Sequence, residues 1–185
     1  MAEVQILDNF IPKQNQLILE NLIDSEKFYW FYNSTTIHKD SKNTFLGRRK
    51  SDHQFTHLLY IHQPPNDAVI TSRYYEQVAQ CFPLPEFKTH RLGKIKANLT
   101  VPGKRKDVQE PHRDSKYEGA VTYLYYVNDS DGPTTLYDSN EEKIIIHPKQ
   151  GKMVRFPSNT RHSANVPFNY ETRIVLNMVF DPLLS

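Results

Sequence analysis

Residues 110–129 read EPHRDSKYEGAVTYLYYVND. The second half, "GAVTYLYYV", is nearly continuous in β-branched and aromatic side chains and predicts a strand buried on both faces. Thr122, Leu124 and Tyr126 would share one face of it, and Tyr123 and Tyr125 the other. Just ahead, a proline introduces His112 and Asp114, two positions apart, so that on an extended chain both point to one side. Such a chain aims an imidazole and a carboxylate at one spot. What that pair does depends on what else in the sequence can reach it.

Outward from this stretch the hydrophobic period stays at two. "KIKANLTV" alternates Ile95, Ala97 and Leu99 with Lys96, Asn98 and Thr100. "PTTLYD", "KIIIHP", "KMVRFP" and "TRIVLNMVF" follow as short strands, separated by "NDSDG", "SNEE", "KQG" and "PFNYE". "HPKQGKM" has the form of a tight hairpin through Gly151. Upstream, the signals are helical. Pro12 suits a helix start ahead of Leu17, Ile18, Asn21 and Leu22. Val69, Ile70, Tyr74, Val78 and Cys81 make an apolar stripe behind a cap at Asn66 or Asp67. The expectation is one mainly β domain over residues 1–185. Helical support would occupy about 1–90 and a barrel or sandwich core about 92–181.

Composition narrows the function. A chain of 185 residues can bury a real core. A net charge of +2 and a pI near 8.5 fall short of the concentrated basic surface that nucleic acid normally requires. The run Lys104-Arg105-Lys106 reads as a solvated loop. The single cysteine, Cys81, excludes an intrachain disulfide and a thiolate metal cluster, and its apolar setting predicts a buried, inert thiol. The start "MAEVQILDNFIPKQ" has neither the basic nor the apolar segment of a signal peptide. No stretch approaches the ~20 apolar residues that span a bilayer. A soluble, cytoplasmic protein with no membrane partner is expected.

Two histidines and a carboxylate are the ligand set that holds non-haem Fe(II) while leaving coordination positions open. His112 and Asp114 supply two of the three. His162, in "FPSNTRHSANVP" beyond a strand ending at Phe156, is the candidate third. Eleven residues later Arg173 opens the apolar run "RIVLNMVF". An arginine entering such a run must reach solvent or hold an anion, because an unpaired buried guanidinium is very costly. Its fork of donors suits a carboxylate.

In this order of residues the chain resembles the 2-oxoglutarate/Fe(II)-dependent oxygenases, in their prolyl-4-hydroxylase-like branch. The resemblance covers roughly residues 92–181. It runs through "PHRD", "YLYYVNDSDGPTTLY", "IHPKQGKMVRFP", "RHSANVP" and "TRIVLNMVF". Gly132-Pro133-Thr134 departs from the double glycine common in that family. The resemblance implies a double-stranded β-helix (jelly-roll or cupin-like) with N-terminal helices packed on one sheet. It implies Fe(II) held by His112, Asp114 and His162, with 2-oxoglutarate and O2 as cosubstrates. Arg173 and Tyr126 would hold the far carboxylate of 2-oxoglutarate, and Asn98 would touch the cosubstrate. Asn177 shares the Arg173 face and is a candidate for the same pocket. The implied reaction hydroxylates a C–H bond while 2-oxoglutarate is decarboxylated to succinate and CO2, and no side chain need act as acid or base.

Three rival readings remain. A cupin-like metal protein that does not use 2-oxoglutarate would have no need of Arg173. A nucleobase oxygenase is disfavoured by the weak net charge, and a barrel serving only as a binding module by the intact ligand set. His53 and His57 have the i, i+4 spacing of a helical zinc site, but "HQFTH" lacks the glutamate a metalloprotease needs, so no metal is expected there. For the substrate, a prolyl residue in a peptide or protein is the first expectation and a small metabolite the second. "GRRKSDHQFTHLLYIHQ" and "TVPGKRKDVQEP" are expected to be mobile loops at the lip of the groove. Their Lys and Arg content would favour an acidic or carboxylate-terminated partner.

Overall fold

The computed structural model describes residues 4–33, 53–62, 66–103 and 109–183. In chain order they form β1 (Gln5–Leu7), α1 (Lys13–Ile23), β2 (Phe31–Asn33), β3 (Gln54–Ile61) and β4 (Val69–Ile70). Next come α2 (Tyr75–Ala79), α3 (Glu86–Thr89), β5 (His90–Thr100), β6 (Val121–Tyr126) and β7 (Thr134–Tyr137). The chain continues through β8 (Lys143–Ile146), β9 (Met153–Pro157), β10 (Arg161–Ala164) and β11 (Arg173–Pro182). The large antiparallel sheet runs β1-β9-β6-β11-β5-β3-β2, with β4 added to β3, and β10, β7 and β8 make a second, smaller sheet.

β6 shows why the two sheets stack. It is buried along its whole length, as its unbroken apolar sequence predicts. Tyr123 and Tyr125 enter a cluster with Leu19 and Ile23 of α1, Val78 of α2 and Phe82. Leu124 and Tyr126 enter a separate cluster with Leu136 of β7, Ile146 of β8, and Val154 and Phe156 of β9. Helices therefore cover one face of the large sheet and the small sheet covers the other. This is the mainly β, jelly-roll arrangement with helices packed on one sheet.

The first ninety residues hold more strand than their sequence suggests. Gln54–Ile61, expected in a mobile lip, is a strand paired with both β2 and β5. Residues 47–52 and 63 of the first expected lip, and 104–108 of the second, lie outside the described residues. Val69 and Ile70 do not begin a helix but pair with Tyr60 and Ile61, and α2 starts behind Tyr74 rather than behind Asn66 or Asp67. Two adjacent β-branched side chains suit a sheet edge better than a first helical turn.

In α1 the buried stripe is Gln16, Leu19 and Ile23, while Leu17 and Ile18 face solvent. Gly151 explains the polar member. A Cβ at Gly151, whose φ is +83°, would stand 2.7 Å from the Gln16 amide nitrogen. The turn at Gly151 is real, yet it is not a hairpin: β8 pairs with β7, whereas β9 pairs with β6 and β1. It carries the chain from one sheet to the other. Among the described residues, no helix is long and apolar enough to cross a membrane.

Candidate metal centre and anion pocket

His112 and His162 face each other across a reciprocal backbone bridge. The His112 amide donates to the His162 carbonyl at 2.8 Å, and the His162 amide returns the bond at 2.9 Å. The amides of Asp114 and Ser115 both donate to the Ser158 carbonyl, at 3.0 and 3.2 Å. His112 and Asp114 thus reach one spot from an irregular segment pinned beside β10, not from a regular strand. One ligand atom from each of His112, Asp114 and His162 lies within 4.8 Å of the others.

Local partners set the orientation of each group. His162 Nδ1 is 3.0 Å from the Thr160 carbonyl, which leaves Nε2 turned to the cluster, 3.6 Å from Asp114 Oδ2. Burial draws the His112 pKa down to about 4; His162 acts in the same direction and Asp114 against it. His112 is therefore a neutral imidazole at neutral pH, as a metal ligand must be. Burial alone would raise the Asp114 carboxyl. Lys94, His162, His112 and the Asn177 hydrogen bond outweigh it and hold Asp114 well below the usual carboxylate range. Lys94 Nζ is 3.4 Å from Oδ1, and Thr122 Oγ1 donates to Oδ2 at 3.1 Å. The carboxylate is ionised and fixed in place.

A cavity extends from these three residues to Arg173. Arg173 is only 3% exposed. Its Nε donates to the Gly132 carbonyl at 2.8 Å and its Nη2 to Thr134 Oγ1 at 2.7 Å. Tyr126 Oη also donates to Thr134 Oγ1, at 2.7 Å. Both lone pairs of that hydroxyl are taken, so its own proton is free for a ligand. Among the described residues no carboxylate lies within ion-pair distance of Arg173, whereas Arg155 has Glu86 at 3.2 Å and Arg91 has Asp181 at 3.7 Å. Four further buried polar atoms on the cavity wall lack a hydrogen-bond partner: Asn98 Oδ1, Gln109 Nε2, Ser163 Oγ and Asn177 Oδ1. Each costs about 1–3 kcal/mol if left dry and unpaired. These atoms, two donors and two acceptors, suit a polar occupant, and the unpaired charge of Arg173 suits an anionic group at its end.

The residues singled out in the sequence do not all play equal parts in this wall. Asn98, Asn177 and Arg173 line the cavity with the three candidate ligands, but Asn177 points its amide at Asp114. Tyr126 lies behind the wall, fully buried, and acts on it through Thr134 and through Arg173, whose guanidinium carbon sits 5.6 Å from the centre of its ring. The departure at Gly132-Pro133-Thr134 keeps the working glycine: a Cβ at Gly132 would stand 2.5 Å from the Asn165 carbonyl. His53 and His57 form no such cluster. His57 stacks on Phe28 with ring centroids 4.2 Å apart, and both its ring nitrogens are engaged, by the Tyr29 carbonyl and by Ser72 Oγ. Sequence reasoning missed Lys96, Gln54, Gln109 and Ser163 on the wall, and Lys94 beside Asp114. Parity could have found the lysines, which alternate along β5 on the Asn98 side.

The chain has the fold of the 2-oxoglutarate/Fe(II) oxygenases. It superposes on an oxidoreductase of that family from Burkholderia pseudomallei with a TM-score of 0.71 and 8% identity, over 96% of this chain and 85% of the other. A Pseudomonas putida prolyl-4-hydroxylase gives 0.57 and 14%, over 97% and 92%. A Trichoplax adhaerens prolyl hydroxylase, solved in complex with a hypoxia inducible factor oxygen degradation domain peptide fragment, gives 0.59 and 17%, over 97% and 83%. In sequence, the chain is 30% identical over 128 residues to a Caenorhabditis elegans protein described as a "Probable phytanoyl-CoA dioxygenase". That match covers 63% of this chain and 39% of the relative, so the chain spans about two fifths of the curated protein's length. No protein-family model matches the chain.

Proposed function

We propose that this protein is a 2-oxoglutarate- and Fe(II)-dependent oxygenase that hydroxylates a C–H bond. One observation carries the reading: Arg173, a buried cation with no carboxylate partner among the described residues, shares a cavity with a His-Asp-His cluster. A metal protein that did not bind an organic acid would leave that guanidinium a standing cost.

The donor set fits the metal. His112, Asp114 and His162 would hold Fe(II), offering two imidazoles and a carboxylate whose ionised state is already secured. When bound, the iron supplies the activation of O2. The chain's own side chains bind and orient. Arg173 and the Thr134 hydroxyl would take the far carboxylate of 2-oxoglutarate, and Asn98 lies between them and the metal end. Leu124 and Val175 on the same wall limit water. Overall, R–H, O2 and 2-oxoglutarate become R–OH, succinate and CO2. One oxygen atom enters the hydroxyl and the other the new carboxylate of succinate.

For R–H we propose a prolyl ring in a peptide or protein. The order of motifs and the likeness to prolyl hydroxylase structures support this choice. The C. elegans relative, described as acting on an acyl-CoA, favours a small-molecule acid or ester as the second reading. The test is to load the protein anaerobically with Fe(II), add 2-oxoglutarate and O2, and measure succinate with proline-containing peptides and with small acids. Succinate coupled to a gain of one oxygen atom in a prolyl peptide is the expected result. Oxidation of small acids alone would replace the substrate and keep the oxygenase. Failure to bind 2-oxoglutarate would favour the cupin-like alternative.

A further inference from the structure

β5 turns Lys94, Lys96 and Asn98 toward the cavity. Lys94 is matched by Asp114. Lys96 lines the same cavity, but among the described residues its ammonium has neither a hydrogen bond nor a carboxylate within ion-pair distance. In register it sits between Leu58 of β3 and Asn177 of β11, and Asn177 is the residue that grips Asp114. Lys96 therefore stands at the metal end. Arg173 lies four positions from Asn177 on β11, about 13 Å further along the strand. The cavity thus has an uncompensated cation near each end. Gln109 Nε2 and Ser163 Oγ add two buried donors with no partner. Burial also draws the Lys96 pKa down to about 8, with Lys94 acting in the same direction and Asp114 against it.

Building on the oxygenase reading above, we propose that Lys96 receives a carboxylate at the metal end of the cavity. Two sources share that chemistry: the acid being oxidised, and the metal-side carboxylate of 2-oxoglutarate. A charge-assisted bond to a carboxylate is strong enough that losing it weakens binding about ten- to a hundredfold.

The test compares wild type, Lys96→Met and Lys96→Arg as anaerobic Fe(II)-loaded proteins, by calorimetry. Each is titrated with 2-oxoglutarate. Then, saturated with it, each is titrated with L-proline, a prolyl peptide with a free C-terminus and straight-chain acids, every acid beside its amide. If Lys96 serves the cosubstrate, Lys96→Met loses 2-oxoglutarate affinity at least tenfold and Lys96→Arg recovers most of it. If it serves the substrate, 2-oxoglutarate binds all three alike, while an acid that wild type prefers over its amide is no longer preferred by Lys96→Met. The proposal is overturned if Lys96→Met binds 2-oxoglutarate normally and either matches wild type on every acid or wild type prefers no acid over its amide. A wild type that binds no 2-oxoglutarate defeats the oxygenase reading instead, and the acid titrations without cosubstrate then decide Lys96. Lys96→Met should melt at or above the wild-type temperature without ligand. A clear fall would assign Lys96 a structural role and also overturn the proposal.

Discussion

Asn177 donates its side-chain amide to both carboxylate oxygens of Asp114, at 3.2 and 3.1 Å, across 63 residues of chain. It fixes the plane of a candidate metal ligand that the chain presents from an irregular segment. Partners of this kind are worth about 10–100-fold in metal affinity. Asn177→Leu should therefore weaken Fe(II) binding by that factor in an anaerobic titration while the protein stays folded. An unchanged affinity would show that Lys94 and Thr122 hold Asp114 without help.

Removing a ligand is more severe. Asp114→Ala or His162→Ala should reduce stoichiometric Fe(II) binding to background. His57→Ala supplies the contrast, because His57 fills a slot against Phe28 and satisfies Ser72 and the Tyr29 carbonyl. It should bind Fe(II) normally yet lose about 2–4 kcal/mol of stability to urea, from the vacated space and unpaired partners.

Arg173→Leu should cost about 1.5–3 kcal/mol of 2-oxoglutarate affinity, roughly ten- to a hundredfold, with Fe(II) binding intact. Tyr126→Phe removes a hydroxyl that reaches the pocket through Thr134 and Arg173, and should have a smaller effect of the same sign. Equal losses in the two variants would mean that Tyr126 reaches the ligand directly.

Gly132→Ala tests the arginine's support. The added Cβ would meet the Asn165 carbonyl oxygen at 2.5 Å and the Val166 carbonyl carbon at 2.9 Å, both backbone atoms with little freedom to yield. Relief must move the Gly132 carbonyl that Arg173 holds. A stability loss of about 1–3 kcal/mol is expected, together with weaker 2-oxoglutarate binding measured by calorimetry.

The candidate ligands and Arg173 were legible because chemistry restricts such residues: few roles other than ligation or anion binding suit a buried His-Asp-His set or a buried arginine. β6 was legible because two-sided burial leaves no polar positions. Partner choice was not. Nothing in "HPKQGKM" says that β8 and β9 enter different sheets, since a turn signal reports a reversal and not what lies beside each arm. β3 was hidden because it buries Gln54, Thr56 and His57 while Phe55 and Tyr60 stay half-exposed, the reverse of the usual apolar-in, polar-out alternation. Lys94 and Lys96 share the face of β5 on which Asn98 was expected to touch the cosubstrate, yet a lysine in a strand ordinarily reads as solvent-facing. In a barrel with a polar cavity, that face lies inside.

Lys96 gives a pH signature. Its folded pKa, about 8, lies below that of an ordinary lysine, 10.5, so between these values the unfolded chain binds more protons. Native stability then rises with pH across that window, and below it the charged ammonium is a fixed burden. Lys96→Met lacks the group. Its stability advantage over wild type, measured by urea unfolding without ligand, should be constant below about pH 8 and shrink as pH approaches 10.5. An advantage that did not change with pH would mean that the lysine is not buried as charge.

The main-chain bridge between His112 and His162, with Ser158 clasping Asp114 and Ser115, holds the chelating groups in place through the peptide backbone. Among the described residues the proposed ligands are thus already placed, so the rate of capture would depend mainly on how readily the ion sheds its water. A preformed site of two imidazoles and one carboxylate also follows the general affinity order of divalent ions, in which nickel, copper and zinc outrank iron. Rigidity of this kind cannot reject them by shape. Which ion the proposed ligands would take is therefore a matter of supply, with the stronger competitors kept scarce by the surroundings rather than rejected by the site.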